Sequence, residues 1–258
     1  MNQVAATVID NQEVAPDVFS ISLEPANVSF SAQPGQFVMV RCGEDTTLRR
    51  PLSIHQLDEK TNRVALLYLK IGKGTYWLSQ RQPGDKIDLI GPLGNGFTIP
   101  PDSANLLLVA GGMGIAPLYF LGDEAQKQGH QLTLLFGLPQ TSQLLDQVMG
   151  LPVKCVAATE DGSSGYQGMI TDCIPEYIAY SVSQVFACGP LPMYRTLANL
   201  RLLNDIPTQI SLEARMGCGL GVCYGCTIRT SKGLKQVCQD GPVFNLHDII
   251  WDDFTTNL

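Results

Sequence analysis

Cys218, Cys223 and Cys226 stand in C-x4-C-x2-C spacing, and Cys238 follows after a short hairpin-like stretch. Four thiols so placed constrain the fold strongly, because one tight loop and one later strand must bring them together. The spacing is the one that wraps a plant-type [2Fe–2S] cluster. Gly217, Gly219, Gly221 and Gly225 are interspersed with the thiols. Glycine lets backbone approach a cluster closely and lets amide N–H groups point at sulfide and thiolate. A structural zinc site also uses four cysteines, but zinc ribbons usually offer two C-x2-C knuckles, and only Cys223 and Cys226 have that spacing here. The pattern favours iron–sulfur over zinc and points to the movement of single electrons.

At 258 residues the chain has room for two ordinary domains and a small appendage. Hydrophobic content of 45% with 16% charged residues describes a folded, soluble protein. A net charge of −7 and the lack of any basic run argue against a nucleic-acid partner. The opening residues, MNQVAATVIDNQEV, lack the basic and apolar regions of a signal peptide. The eight cysteines are therefore expected in a reducing compartment, the cytoplasm, where metal or catalytic roles outrank disulfides. Residues 103–122 form an uncharged run of twenty, about the length that crosses a bilayer. Gly111-Gly112-Met113-Gly114 and Ala116-Pro117 break it, so a strand, a glycine turn and a helix start are expected, with no membrane span.

The texture divides the chain into three domains. Residues 1–101 read as short strands, with alternation over 36–40 and 63–69, one helix over 74–80, and turns at Pro34-Gly35, Pro83-Gly84 and residues 91–94. A small antiparallel barrel is expected there. Residues 102–208 alternate strands (106–109, 132–136, 153–157, 184–187) with helices, one of them over 118–128, which implies a parallel α/β sheet. Residues 209–258 carry the cysteine module and a polar tail.

Three further motifs carry chemistry. Residues 109–117 follow an expected strand and open a helix, a context in which backbone N–H groups and the helix dipole face a phosphate. The stretch is not G-x-G-x-x-G, and a plain structural turn is an equal reading. Cys188-Gly189-Pro190 ends the last strand of the same domain, where loops at carboxyl ends line a ligand crevice. Cys188 also reads as a small buried apolar residue. In the first domain, Arg50 and Ser53 on an extended segment and Gly72-Lys73-Gly74-Thr75 before a short helix can meet a phosphorylated cofactor. Singly, these are a basic pair with Arg49 and an ordinary turn; beside an electron-transfer cluster they suggest a flavin.

Arg50-Pro51-Leu52-Ser53 resembles the R-x-[YL]-S flavin motif of ferredoxin–NAD(P) reductase-type modules, although many members carry an aromatic residue where this chain has Leu52. Residues 111–117 and Cys188-Gly189-Pro190 resemble the nicotinamide-nucleotide motifs of that superfamily. More specifically, residues 217–226 with Val237-Cys238-Gln239-Asp240-Gly241-Pro242-Val243-Phe244 resemble the electron-transfer subunits of NAD-dependent (class 1B) dihydroorotate dehydrogenases. The resemblance runs to about residue 250. It implies an FAD-binding β-barrel, a nucleotide-binding α/β domain and a [2Fe–2S] module. It implies FAD contacts at Arg50, Pro51, Leu52, Ser53, Leu67, Tyr68, Leu69, Gly74 and Thr75. It implies NAD contacts at Gly111, Gly112, Gly114, Pro117, Gly189 and Pro190, with Cys188 near the nicotinamide as candidate catalytic residue. Cys218, Cys223, Cys226 and Cys238 would ligate the cluster. The implied partner is an FMN-containing catalytic subunit that oxidises dihydroorotate, assembled as a heterotetramer with two of each chain, with electrons passing from FMN toward NAD+.

The chemistry is consistent by itself. A nicotinamide exchanges a hydride, a [2Fe–2S] cluster takes one electron at a time, and a flavin converts between them. Two other readings stand beside this one. A reductase subunit of a hydrogenase, sulfide dehydrogenase or ferredoxin–NADP oxidoreductase shares all three modules. A zinc-stabilised binding module without redox activity would differ at once by its absorbance spectrum. NADH is expected over NADPH, because residues 137–143 after the second strand include no basic residue and the next charge, Asp146, is negative.

Overall fold

The computed structural model describes residues 2–101, 105–142, 153–178 and 181–251. The expected combination of antiparallel barrel, parallel α/β sheet and cysteine module is borne out. Strands β1 (Asn2–Ala15), β2 (Val18–Pro25), β3 (Phe37–Val40), β4 (Arg50–Asp58), β5 (Arg63–Leu69) and β6 (Lys86–Leu93) close a barrel in the order β1-β2-β5-β4-β3-β6. Helix α1 (Lys73–Ser79) connects β5 to β6. Alternation along these strands turns Ile21, Leu23, Val38, Val40, Leu66, Ile87 and Leu89 into one barrel core.

β3 is buried on both faces, and the pleat assigns its residues to different cores. Val38 and Val40 fill the barrel, whereas Phe37 and Met39 pack in a cluster that includes Met216, Cys226 and Cys238. One short strand thereby couples the barrel to the cysteine module.

The second sheet has the order β10-β9-β8-β7-β11-β12-β15. Its strands are β7 (Asn105–Gly111), β8 (Gln131–Leu138), β9 (Lys154–Thr159), β10 (Tyr166–Gln167), β11 (Gln184–Cys188), β12 (Thr208–Ser211) and β15 (Val243–Asn245). Helix α2 (Ile115–Lys127) covers one face through Ile115, Leu118 and Leu121, packed with Leu106, Leu108 and Phe186. Helices α3 (Ile170–Ile178) and α4 (Leu191–Asn199) cover the other, where Ile174 and Leu197 join Leu107, Val109 and Val185. Both faces of β7 and β11 are therefore apolar, which accounts for the uncharged run without a bilayer. Among the described residues no helix is long and apolar enough to cross a membrane.

The cysteine module leaves β12, forms the hairpin β13 (Thr227–Thr230) and β14 (Gly233–Gln236), and returns as β15, antiparallel to β12. An antiparallel edge strand from the third module thus completes a sheet expected to be parallel throughout.

Three local expectations change. The first domain is not built of short strands alone, since β1 runs for 14 residues and bends at two register shifts to pair with both β2 and β6. Residues 91–93 end β6 rather than making a turn; a register shift against β3 accommodates Gly91 and Pro92, where the missing proline N–H breaks no regular ladder. α2 begins at Ile115, ahead of the expected 118, because a 3₁₀ turn over Gly112–Gly114 leads directly into it and Pro117 has no N–H to satisfy in a first turn.

Candidate functional site

A cavity of about 650 Å³ opens between the barrel and the second sheet. Every expected flavin contact except Gly74 lines it: Arg50, Pro51, Leu52 and Ser53 from β4, Leu67, Tyr68 and Leu69 from β5, and Thr75 from α1. Register explains the grouping, because β4 and β5 are neighbours in the barrel. Gly74 acts one layer behind. A Cβ there would fall 2.8 Å from Nε of Arg50, so glycine lets the guanidinium stem lie across the start of α1. Arg50 donates to the Leu48 carbonyl at 2.5 Å and forms no ion pair among the described residues. Arg49 also lines the cavity, but its guanidinium is committed to Asp88 at 2.5 Å and to the Asp88 carbonyl at 3.0 Å. Thr75 Oγ1 accepts the N–H groups of Ile71 and Gly72 at 3.0 and 3.2 Å and so folds the loop before α1. Tyr68 turns its hydroxyl inward to Asn11 at 3.1 Å, and burial raises its pKa.

A second cavity, also of about 650 Å³, lies at the carboxyl ends of the parallel strands. It sits where strand order reverses, with β8 on one side of β7 and β11 on the other. Gly111, Gly112, Gly114, Gly189 and Pro190 line it as expected. Gly114 is required by close approach, since an added Cβ would lie 1.9 Å from the Cys188 carbonyl oxygen.

Pro117 and Cys188 line neither cavity. Pro117 is buried in the first turn of α2. Cys188 is buried in the sheet with Sγ 3.4 Å from the Ser211 carbonyl, and burial strongly raises its pKa. The same carbonyl accepts the Tyr194 hydroxyl at 2.5 Å, and that hydroxyl in turn accepts the Gly189 N–H at 3.0 Å. The thiol belongs to a network that fixes the cavity floor from behind.

The two cavities share Met113 and Glu213. Glu213 belongs to a segment, residues 211–216, that walls the flavin-side cavity and runs on to Cys218 two residues later. Its side chain faces open space, yet the protein around it removes enough water to raise its carboxyl pKa. Sequence reasoning put Met113 in the nucleotide motif without its place on the flavin side, and missed Glu213 and this whole wall. The only available signal was position, immediately after a strand end and ahead of the cysteines.

The cysteine loop is built to hold anionic sulfur. Cys218 Sγ accepts N–H groups from Leu220 at 3.3 Å and Cys223 at 3.4 Å, Cys238 Sγ one from Gly221 at 3.2 Å, and Cys226 Sγ one from Cys238 at 3.4 Å. Burial works against ionisation of Cys218, but backbone N–H donors, Leu220 first among them, bring its pKa down to about 6. Burial and the neighbouring Cys226 thiol push Cys238 up to about 12. Cys218 contacts Cys223, and Cys226 contacts Cys238. Among the described residues no three His, Cys, Asp or Glu side chains are gathered as around one ion. Two thiolate pairs suit the ligand set of a two-iron cluster. Cys223 is the exposed member, flanked by Val222 and Tyr224 at 73% and 71% exposure.

Comparison with known proteins agrees with this geometry. Family models match for an oxidoreductase FAD-binding domain over residues 5–97 and an oxidoreductase NAD-binding domain over 108–199. The iron–sulfur cluster binding domain of dihydroorotate dehydrogenase B matches over 213–250, which removes the zinc reading. The chain is 36% identical over 256 residues to the electron transfer subunit of dihydroorotate dehydrogenase B (NAD(+)) from Desulforamulus reducens, covering 96% of this chain and 98% of that one. It is 38% identical over 252 residues to the counterpart from Bacillus caldolyticus, covering 95% and 97%. Among solved structures, an NADH-dependent reduced ferredoxin-NADP oxidoreductase superposes with a TM-score of 0.87 at 30% identity, covering 96% of this chain and 90% of that one. A ferredoxin reductase in carbazole 1,9a-dioxygenase, at 19% identity and a TM-score of 0.70 over 80% of this chain and 67% of that one, shares the fold. With three matching domain models and near-complete coverage of such relatives, this chain belongs to the family of dihydroorotate dehydrogenase B electron transfer subunits.

Proposed function

We propose that this chain passes electrons between NAD+ and the FMN of a separate dihydroorotate-oxidising subunit, using an FAD and a [2Fe–2S] cluster of its own. The observation that carries the reading is the shared wall: Met113 and Glu213 bound both cavities, and residues 211–216 lead from them to the cysteine loop. When bound, FAD supplies the conversion between a two-electron hydride and the single electrons a cluster accepts.

The chain's own residues bind and orient. Arg50, in no ion pair among the described residues, offers its guanidinium to a flavin phosphate, with Ser53 and Thr75 on the same cavity wall. Pro51, Leu52, Leu67, Tyr68 and Leu69 line the space and exclude water, and Gly74 lets Arg50 reach it. Residues 111–114 with Gly189 and Pro190 give the nucleotide a backbone floor, which Pro117 and Cys188 support from behind. Cys218, Cys223, Cys226 and Cys238 hold the cluster, and their backbone donors stabilise its negative charge.

The domain division that follows this work is 1–101 for FAD, 102–208 for NAD and 209–258 for the cluster. The exposed apolar residues Val222 and Tyr224 beside Cys223 suit a partner seated over the cluster. The assembly is a cytoplasmic heterotetramer of two chains of each kind. The test is to purify the chain alone and with a dihydroorotate dehydrogenase catalytic subunit. Flavin and iron–sulfur absorbance, and dihydroorotate-dependent reduction of NAD+ only in the mixture, are expected. Nucleotide-linked electron transfer to ferredoxin, with no coupling to dihydroorotate, would favour the ferredoxin–NADP oxidoreductase reading instead.

A further inference from the structure

We infer that Gln236 donates a side-chain N–H to sulfur of the bound [2Fe–2S] cluster and thereby raises its reduction potential. The inference rests on the reading of the four cysteines as the ligands of that cluster.

Among the described residues, two buried side-chain polar atoms have no hydrogen-bond partner, Oε1 of Gln184 and Nε2 of Gln236. Gln184 belongs to β11, and its own Nε2 reaches the Thr98 carbonyl at 3.4 Å. Gln236 is the one in the cysteine module. It ends β14 two residues ahead of Cys238, and it pairs across the hairpin with Thr227, the residue after Cys226. The residue is 7% exposed. A carboxamide nitrogen sealed from water without an acceptor costs free energy, so its position calls for an acceptor that arrives with a bound group.

The amide lies among groups that already serve the sulfurs. A Cβ at Gly221 would fall 3.1 Å from Gln236 Oε1, and the Gly221 N–H donates to Cys238 Sγ at 3.2 Å. Glycine at 221 thus leaves room for the carboxamide beside a ligand's own donor. The backbone of Gln236 is committed elsewhere. Its N–H donates to Asp240 Oδ2 at 2.7 Å, and its carbonyl accepts the N–H groups of Gln239 at 3.1 Å and Asp240 at 2.8 Å. These bonds close the turn that carries Cys238, and none of them uses the Gln236 side chain.

Sulfide and thiolate are the acceptors that a cluster brings into this loop. Reduction adds one negative charge to it. A donor on sulfur therefore holds the reduced form more firmly than the oxidised form, which raises the potential. The cluster then accepts an electron more readily from a reduced flavin. Gln239 provides a control, because its amide also reaches the space beside Gly221 but the residue is exposed.

The experiment is a redox titration of the purified chain with its FAD and cluster, followed by the EPR signal of the reduced cluster. Gln236→Leu should keep its iron and flavin and lower the equilibrium constant for cluster reduction about tenfold, which is 59 mV for a one-electron couple. Gln239→Leu should titrate as the wild type does. A wild-type potential in Gln236→Leu, or equal falls in both variants, would overturn the inference while leaving the cluster reading in place. A second measurement needs no substitution at 236. With isotopic nitrogen in the glutamine side chains, pulsed EPR of the reduced protein should show a nitrogen coupling that persists in Gln239→Leu. Its absence would overturn the inference even if Gln236→Leu failed to hold iron. A wild-type protein purified without iron would instead overturn the cluster reading, and the inference with it.

Discussion

Arg49 and Arg50 are adjacent in sequence, both reach the flavin-side cavity, and differ in what already holds them. Arg49, just ahead of β4, is tied to Asp88 on β6, whereas Arg50 donates to the Leu48 carbonyl, lies across the glycine at the start of α1 and forms no ion pair among the described residues. Arg50→Ala should weaken FAD binding by about 1.5–3 kcal/mol, the scale of a hydrogen bond to a charged group, with little change in folding stability. Arg49→Ala should do the reverse, because it removes the guanidinium bonds to Asp88, which keeps Gln3 and solvent as partners; a loss of about 1 kcal/mol in unfolding free energy is expected. Flavin titration and denaturant unfolding of both variants separate the two effects. Equal loss of flavin affinity would mean that the pair acts as a basic surface.

Between elements, the junction of β4 with α2 carries a buried titratable group. His55 Nδ1 lies 3.1 Å from the Ala116 carbonyl, and the ring packs on Tyr119 with centroids 4.5 Å apart. Burial is the main cause that lowers its pKa from 6.5 to about 4, so the folded protein holds it neutral while the unfolded chain binds a proton more readily. Stability from this group is fully present above pH 6.5 and is lost as pH falls toward 4. Between pH 7 and 4.5 the wild type should lose about 2 kcal/mol more than His55→Gln, which keeps a donor without the titration. Urea unfolding at the two pH values measures it, and parallel losses would show that His55 titrates normally. The contact of α2 with β11 is steric instead. Gly114→Ala would place a methyl 1.9 Å from the Cys188 carbonyl, a backbone atom that cannot step aside. A loss of about 3 kcal/mol or more in unfolding free energy is expected, with weakened nucleotide binding. A wild-type midpoint would show that the turn has room.

Across the whole molecule, the cysteine module shares one apolar core with β3 and the second sheet, yet its sulfurs are supplied by their own loop. Cys223→Ser should therefore lose the cluster while FAD stays bound and reducible by NADH. Iron analysis and flavin absorbance of the purified variant check this, and full iron retention would overturn the ligand assignment. The sequence alone determined whatever is local or periodic. The thiol spacing, the Arg50–Ser53 segment, the glycine turn at 111–114 and the alternation of β5 all depend on neighbours a few residues away. It could not determine what those pieces face. That β1 bends to pair with both β2 and β6, that β15 returns to edge the second sheet, and that residues 211–216 wall the flavin cavity were decided by the tertiary structure. The same holds for the second cavity, whose lining is scattered from Gly111 to Glu213 along the sequence. It forms because the parallel pairing of β8 with β9 brings their carboxyl ends to one place, and hydrogen-bond register over long sequence separations leaves no local pattern.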